Sequence, residues 1–212
     1  MRSLLNVLFP PRCRVCGEDT ESILCSFCID LLAPPDPVAH CRHCFVPIQL
    51  ETAICPRCLL NPMLSAPKAF LFEASSLADQ LYSTVVREHE EALLQTITSL
   101  AVILWSRLDW PSPHLIVPIP SKERGKVVQN LALEFSILLS CPLSHEFSLR
   151  WRAPFQWRLT RKREGLLREK NILFFDLASD TKRLGNALQE LRSAQPKSIH
   201  ILSVFESLHI PK

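Results

Sequence analysis

Cys13-Arg14-Val15-Cys16 is the first of four Cys-x-x-Cys pairs in this chain, and it is followed by Cys25-Ser26-Phe27-Cys28, Cys41-Arg42-His43-Cys44 and Cys55-Pro56-Arg57-Cys58. Two intervening residues let both thiolates of a pair point at one metal ion, and two such pairs complete the tetrahedral Cys₄ site that zinc accepts. Eight, 12 and 10 residues separate successive pairs, so each separation is long enough for a short hairpin. The spacing therefore predicts two structural zinc ions held in two tandem zinc ribbons.

The simplest assignment of ligands is sequential, with the first two pairs on one ion and the last two on the other. In residues, one site is then Cys13, Cys16, Cys25 and Cys28, and the other is Cys41, Cys44, Cys55 and Cys58. Spacing alone leaves an interleaved arrangement open. In either case thiolates fill all four positions on each ion, so the prediction is a structural or docking domain rather than a catalytic metal site.

Other uses of paired cysteines fit this chain less well. Four disulfides would require an oxidising compartment, whereas a reducing cytoplasm favours metal. A redox-active pair normally occurs once, at the start of a helix, and the regular spacing differs from that of iron–sulfur ligands. We expect His40 and His43, which flank Cys41, to be bystanders. The ninth cysteine, Cys141, has apolar neighbours and is expected to be buried.

Composition indicates a folded chain of one medium domain, or of a small domain joined to a larger one. Of the 212 residues, 47% are hydrophobic and 21% are charged, and the net charge of +3 is too small to indicate a nucleic-acid partner by itself. The apolar run in Met1–Pro10 has no small-residue cleavage site, so we expect a short helix packed on the metal domain. The stretch Ile97–Trp105 is too short to span a membrane. A cytoplasmic protein is expected.

After a proline-containing linker at Leu60–Pro67, apolar strand patterns alternate with helical ones. The predicted strands are Lys68–Ala74, Leu115–Ile119, Leu143–Leu149, Ile172–Phe175 and Ser198–Phe205, and the predicted helices are Leu77–Leu108, Val127–Leu139 and Leu184–Leu191. Such alternation is typical of a parallel sheet covered by helices on both faces. The predicted domains are residues 1–66 and 67–212.

A basic segment with interleaved aromatic residues lies at Arg150–Lys170. It holds eight basic and two acidic residues, so its net charge of +6 exceeds the +3 of the whole chain. Basic and aromatic side chains together can bind single-stranded nucleic acid or a pyrophosphate. A solvated surface loop with its aromatic residues packed inward is the other reading, and both stay open here. The candidate nucleic-acid contacts are Arg150, Arg152, Trp157, Arg158, Arg161, Lys162 and Arg163.

Several short motifs accompany the four cysteine pairs: Leu8-Phe9-Pro10-Pro11 before the first cysteine, Ile116-Val117-Pro118-Ile119-Pro120, Arg124-Gly125, Gln156 and Arg168-Glu169-Lys170-Asn171. With these motifs, the layout resembles the ComF-type proteins of natural competence and their GntX-like relatives. The resemblance implies an α/β fold, with an N-terminal double zinc ribbon followed by a type I phosphoribosyltransferase-like parallel sheet flanked by helices.

The family's diphosphate-sugar loop is altered in this chain. In the family, a strand ends in two acids that bind ribose hydroxyls, and a Thr-Thr-Gly turn then lets backbone N–H groups wrap a phosphate. Here Phe175 replaces the first acid, Asp176 remains, and the turn has no glycine. We favour an ordinary capped helix start over a phosphate loop. The substrate-binding residues that the resemblance implies are Asp176, Ser179, Asp180, Thr181, Lys182, Arg183, Arg124 and Gly125.

The resemblance implies a ComF-like competence protein whose catalysis is lost or weakened. It would act in DNA uptake, or in processing incoming single-stranded DNA, through contacts with DNA-uptake proteins, a helicase among them. An active phosphoribosyltransferase that uses phosphoribosyl diphosphate and Mg²⁺ is the alternative. A zinc-ribbon adaptor for protein interactions is the third reading.

Overall fold

The computed structural model describes residues 11–49, 53–60, 66–88, 91–119, 125–144, 150–152, 156–158, 167–178 and 181–206. Several predictions concern residues outside this set: the helix at Met1–Pro10, most of the linker, the strand beyond Ser144, and the roles of Arg124, Arg161, Lys162, Arg163, Ser179 and Asp180.

The cysteine-rich part repeats one local design twice. In each half, an antiparallel bridge closes the first cysteine pair, at Arg12 and Asp19 in one half and at His40 and Pro47 in the other. The second pair of each half opens a short helix, α1 (Ser26–Leu31) or α2 (Pro56–Leu60). A 3₁₀ turn at Pro37–Ala39, capped by the side chain of Asp36, connects the halves. The predicted tandem ribbons are confirmed.

The rest of the described chain alternates strands and helices. In chain order these are β1 (Lys68–Phe72), α3 (Ser76–Glu88), α4 (Glu91–Arg107), β2 (Leu115–Pro118), α5 (Gly125–Leu138), β3 (Arg150–Arg152), β4 (Gln156–Arg158), β5 (Asn171–Ala178), α6 (Thr181–Ser193) and β6 (Ser198–Phe205). The helix predicted over Leu77–Leu108 corresponds to α3 and α4. The β3–β4 hairpin was not predicted, because strands of three residues carry no periodic signal. None of the described helices is both long and apolar enough to cross a membrane.

Four strands form a parallel sheet in the order β1-β6-β5-β2. The central strand β5 pairs with β6 along its length and with β2 on its other side. At the edge, Leu143 makes a parallel bridge to Ile116. The predicted parallel sheet is confirmed, and all four strands end at one edge, which places β5, the start of α5 and the start of α6 together.

Both faces of the sheet are covered, as predicted. Successive residues of a strand point to opposite faces. Leu173 and Phe175 of β5 join a core built with α3, α4 and α5, whereas Ile172 and Phe174 join a second core built with α6. The apolar run of β5 is therefore buried throughout, as expected for the central strand of a parallel sheet.

The cysteine-rich part shares the larger of these cores. Leu24, Leu32 and Phe45 are buried in the same cluster as Phe70 of β1. The backbone also crosses the junction, because the N–H of Lys68 donates to the carbonyl of His43 at 3.0 Å. The predicted boundary at residue 66 stays a prediction, since apolar packing is continuous across it.

Phe175→Ala is expected to destabilise the protein by about 3–5 kcal/mol, because it leaves a cavity under a fully buried ring. Phe27→Ala is a matched control: the Phe27 side chain is 65% exposed, and we expect a change within about 0.5 kcal/mol. Urea unfolding of zinc-loaded protein measures both. Equal midpoints for the two variants would contradict the placement of Phe175 in the core.

Candidate metal centres and the sheet-edge site

Eight thiols form two separate groups in the described chain. One contains Cys13, Cys16, Cys25 and Cys28, the other Cys41, Cys44, Cys55 and Cys58, and within each group the sulfur atoms lie within 4.8 Å of one another. The sequential assignment is the one the structure adopts. The interleaved arrangement that the spacing left open does not occur.

The spacing of the sulfur atoms fits zinc. The Sγ atoms of Cys16 and Cys25 are 3.6 Å apart, and those of Cys44 and Cys55 are also 3.6 Å apart. A tetrahedron of thiolates around zinc, with Zn–S bonds of about 2.3 Å, has edges of about 3.8 Å. All of these cysteines are free thiols. The donor set and its dimensions therefore suit one structural zinc ion per group.

Backbone N–H groups support the thiolates. Burial acts to raise the pKa of the Cys13 thiol, but hydrogen bonds from the backbone of Cys16, Cys25 and Val15 lower its pKa to about 6. Burial likewise acts to raise the pKa of Cys41, and hydrogen bonds from nearby backbone, the N–H of Cys55 first, lower its pKa to about 6. Because zinc binds the thiolate form, these N–H groups prepare both sites for metal.

The two knuckles share one backbone conformation but differ in the residue that adopts it. Gly17 follows Cys16 with φ of +79°, and Phe45 follows Cys44 with φ of +58°. Each donates its N–H to the carbonyl of the first cysteine of its pair, at 3.0 and 2.9 Å. Glycine adopts this conformation without strain, whereas a side chain adds roughly 1–2 kcal/mol. Aligning the two knuckles in the sequence would have singled out Phe45 as the exception.

Packing of Phe45 explains why this strain is tolerated. Its ring is buried, stacks on His40 at 4.7 Å between centroids and meets Phe70 of β1 edge-on at 6.4 Å. His40 in turn contacts Asp36 O through Nδ1 at 2.6 Å and Glu73 Oε1 through Nε2 at 2.8 Å. Both ring nitrogens of His40 are thus engaged away from the metal group, as expected for a bystander. Phe45 and His40 fasten the second ribbon to the sheet.

The carboxyl edge of the sheet brings together part of the implied substrate site. Asp176 of β5 is buried and lies opposite Ser203 of β6 in the strand register. It is not without an interaction partner. Phe175 points to the other face, where its ring is 5.2 Å from that of Phe135. Gly125 opens α5, and a Cβ added there would meet no atom within 4 Å.

The remaining implied residues are only partly described. Thr181, Lys182 and Arg183 form the first turn of α6, so the helix begins directly after Asp180. Ser179 and Asp180, the residues predicted to cap this helix, lie outside the described residues, so the cap stays a prediction. Whether the turn wraps a phosphate therefore stays a prediction.

Part of the basic segment forms the β3–β4 hairpin. Its antiparallel register sets Arg150 opposite Arg158, Trp151 opposite Trp157, and Arg152 opposite Gln156. Because residues alternate along a strand, the arginine positions share one face and the tryptophan positions share the other. The remaining candidates, Arg161, Lys162 and Arg163, lie outside the described residues.

Zinc content tests the two metal centres. We expect two zinc ions per chain in the wild-type protein and one in Cys28→Ser, because removing a buried thiolate opens one Cys₄ site. Cys141→Ser is the control, since Cys141 is buried outside both groups and should leave two ions bound. Elemental analysis after gel filtration gives the count. Loss of zinc from Cys141→Ser, or full retention by Cys28→Ser, would contradict the assignment.

Comparison with solved structures finds hypoxanthine-guanine phosphoribosyltransferases. The enzyme of Leishmania tarentolae in complex with GMP has a TM-score of 0.37 and 11% identity, covering 61% of this chain and 68% of that one. A hypoxanthine phosphoribosyltransferase of Staphylococcus aureus has a TM-score of 0.35 and 15% identity, covering 53% of this chain and 62% of that one. The hypoxanthine-guanine phosphoribosyltransferase of L. donovani has a TM-score of 0.35 and 12% identity, covering 59% of this chain and 71% of that one. TM-scores below 0.5 do not establish a shared fold or activity. No curated protein matches the chain in sequence.

A family model does match the cysteine-rich part. Residues 4–59 match the model of the double zinc ribbon domain, and this range includes all eight cysteines of the two thiol groups. The sequence match and the sulfur geometry agree on the same residues. The amino-terminal part of this chain is therefore a double zinc ribbon with two Cys₄ zinc centres.

Proposed function

We propose that this is a ComF-like cytoplasmic protein in which a phosphoribosyltransferase-type domain has lost or weakened its catalysis. It acts in DNA uptake, or in processing incoming single-stranded DNA, through contacts with nucleic acid and with DNA-uptake proteins such as a helicase. The proposal combines the family resemblance of the sequence with the double zinc ribbon and the parallel sheet.

The buried position of Phe175 carries the proposal of lost catalysis. The resemblance places an acid at this position, where it would bind ribose hydroxyls. Phe175 instead has no exposed surface and packs against Phe135 of α5. An apolar ring inside a core offers no acceptor to a hydroxyl group, so a sugar would lose one of its two carboxylate partners.

The β3–β4 hairpin supports the proposed contact with nucleic acid. Arg150 and Arg158 are directly opposite each other in the backbone register of the hairpin, so two basic positions lie on one face. Like charges at opposite positions of an antiparallel pair are unfavourable, and a bound phosphate would offset that repulsion. Trp151 and Trp157 are also opposite in register, and tryptophan is a residue type on which nucleic-acid bases stack.

Exposed apolar side chains on the ribbon helices support a role in protein contacts. Phe27 of α1 is 65% exposed, and Leu59 and Leu60 of α2 are 60% and 80% exposed. Apolar groups that project from a rigid metal-bound scaffold are typical of surfaces that meet a partner. The adaptor reading therefore fits the same molecule, as one part of the proposed function.

Single-stranded DNA binding tests the proposal. We expect fluorescently labelled oligothymidylate to bind at low salt and to dissociate as salt rises, because released counterions drive phosphate contacts. Arg150→Glu/Arg158→Glu should weaken binding at least tenfold, since it reverses two charges on one face of the hairpin.

The matched control is Arg57→Glu/Arg87→Glu, which makes the same charge change at exposed positions on α2 and α3. We expect the Kd of the control for the oligonucleotide to lie within about twofold of wild type, because its net charge changes but the hairpin does not. Equal loss in both variants, or no binding at low salt, would overturn the proposed nucleic-acid contact at the hairpin.

An active phosphoribosyltransferase is the second candidate, and Asp176 and Gly125 favour it. Asp176 keeps one acid at the carboxyl edge of the sheet, and the open space beside Gly125 leaves room for a group at the start of α5. If this candidate holds, millimolar phosphoribosyl diphosphate with Mg²⁺ should raise the melting temperature, and Asp176→Asn should abolish the shift. Our proposal predicts a small shift or none.

A further inference from the structure

A cavity of about 670 Å³ lies between the second zinc ribbon and the α/β domain. Phe45 and Arg42 line it from the ribbon, Arg107 and Trp110 line it from the end of α4 and the residues that follow, and His200 lines it from β6. His200 is near the start of β6, so the cavity sits at the amino edge of the sheet. Asp176 lies near the carboxyl end of β5 and does not line the cavity.

Trp110 provides a rigid aromatic surface in this cavity. The centroid of its ring is 4.9 Å from that of His200, and the two ring planes are inclined by 37°. The ring also meets Trp105 edge-on, with 5.6 Å between centroids. These contacts fix the indole in place but leave it half-buried, with part of the ring facing the cavity. Burial lowers the pKa of His200 to about 4, so at neutral pH its imidazole is polar and uncharged.

The charges at the mouth of the cavity favour an anion. Apart from histidines, the charged side chains among its described lining residues are Arg42, Arg107 and Asp109. Arg42 is 3.7 Å from Asp109, and both side chains are largely exposed, so this ion pair is weak. Arg107, in the last turn of α4, forms no ion pair within the described part of the chain. Arg107 and Trp110 line the same cavity, and within the described residues the Arg107 guanidinium has no acidic partner.

We propose that this cavity binds a nucleoside 5′-phosphate, either free or as the end of a single strand. The base stacks on Trp110, and Arg107 binds the phosphate with Arg42 beside it. A volume of about 670 Å³ is within the range of small-molecule sites. Stacking suits any base, and a guanidinium binds phosphate through paired hydrogen bonds.

This site is distinct from the sugar-phosphate site that the family resemblance implies. Parallel α/β sheets usually bind ligands outside the carboxyl ends of their strands. The cavity is at the opposite edge, and it exists because the second ribbon supplies one wall. Phe45, held at positive φ, is part of that wall, so the cavity depends on the docking of the ribbon.

Calorimetric titration of the full-length, zinc-loaded protein tests the proposal. We expect AMP to bind and adenosine to bind at least tenfold more weakly, because adenosine lacks the phosphate. Arg107→Ala should raise the Kd for AMP about tenfold, through loss of a charge-assisted hydrogen bond. Arg87→Ala, at an exposed position on α3, is the control and should leave the Kd unchanged.

A second pair of variants separates stacking from a general loss of structure. Trp110→Phe keeps an aromatic surface and should retain most of the affinity for AMP, whereas Trp110→Leu should lose it. A 5′-phosphorylated oligodeoxyadenylate is titrated in parallel. Oligonucleotide binding that depends on Arg107 and is tighter than AMP binding assigns the ligand to a strand end, and AMP binding alone assigns it to a free nucleotide.

The proposal would be overturned by no heat with millimolar AMP, by equal Kd values for Arg107→Ala and Arg87→Ala, or by loss of AMP binding in Asp176→Asn with retention in Arg107→Ala. The last result would move the nucleotide to the carboxyl edge. Saturable binding of an acidic aromatic peptide without AMP binding would also overturn it. Failure of the hairpin test above leaves these outcomes unaffected, because AMP does not require the hairpin.

Discussion

Tetrahedral coordination of zinc by four thiolates is the constraint on which the first quarter of this molecule depends. In the second ribbon, the buried cluster consists of Cys41, Cys55 and Cys58, with Cys44 and Ile48 beside it. The ligands are therefore the core of this ribbon, and zinc binding and folding are one process there. The knuckle geometry that zinc requires also sets the position of Phe45, which carries the ribbon onto the sheet.

Apolar packing joins both ribbons to the helices and strands of the sheet. The first ribbon contributes Leu24 and Leu32 to the larger core, on the face of the sheet that α3, α4 and α5 cover, and the second contributes Phe45. A hydrogen bond from Thr84 Oγ1 to the carbonyl of Arg14, at 3.2 Å, ties the first ribbon to α3. A partner bound at the ribbons would thus meet a surface that is fixed relative to the sheet, without a large cost in ordering.

Within the sheet, a single residue links stability to the proposed loss of chemistry. Phe175 lies in the central strand, and its ring packs beside Phe135 in the core. The family resemblance places an acid at this same position. A carboxylate there would have to leave this apolar core or remain buried without a charged partner, at a large cost in free energy. The two edges of the sheet carry different features: Asp176 lies at the carboxyl edge, and the cavity lined by Trp110 lies at the amino edge.

The sequence by itself determined the features that depend on near neighbours in the chain. The two-residue spacing within each cysteine pair indicated zinc, and apolar periodicity predicted the strand at Ser198–Phe205 with the bounds observed. The replacement at Phe175 was also visible in the sequence. The tertiary structure alone decided which cysteine pairs share an ion, that Arg150 and Arg158 are partners in the hairpin register, why Phe45 tolerates positive φ, and where Trp110 meets His200. These features depend on contacts between separate turns, strands and helices, and the packing of those elements leaves no periodic pattern in the sequence.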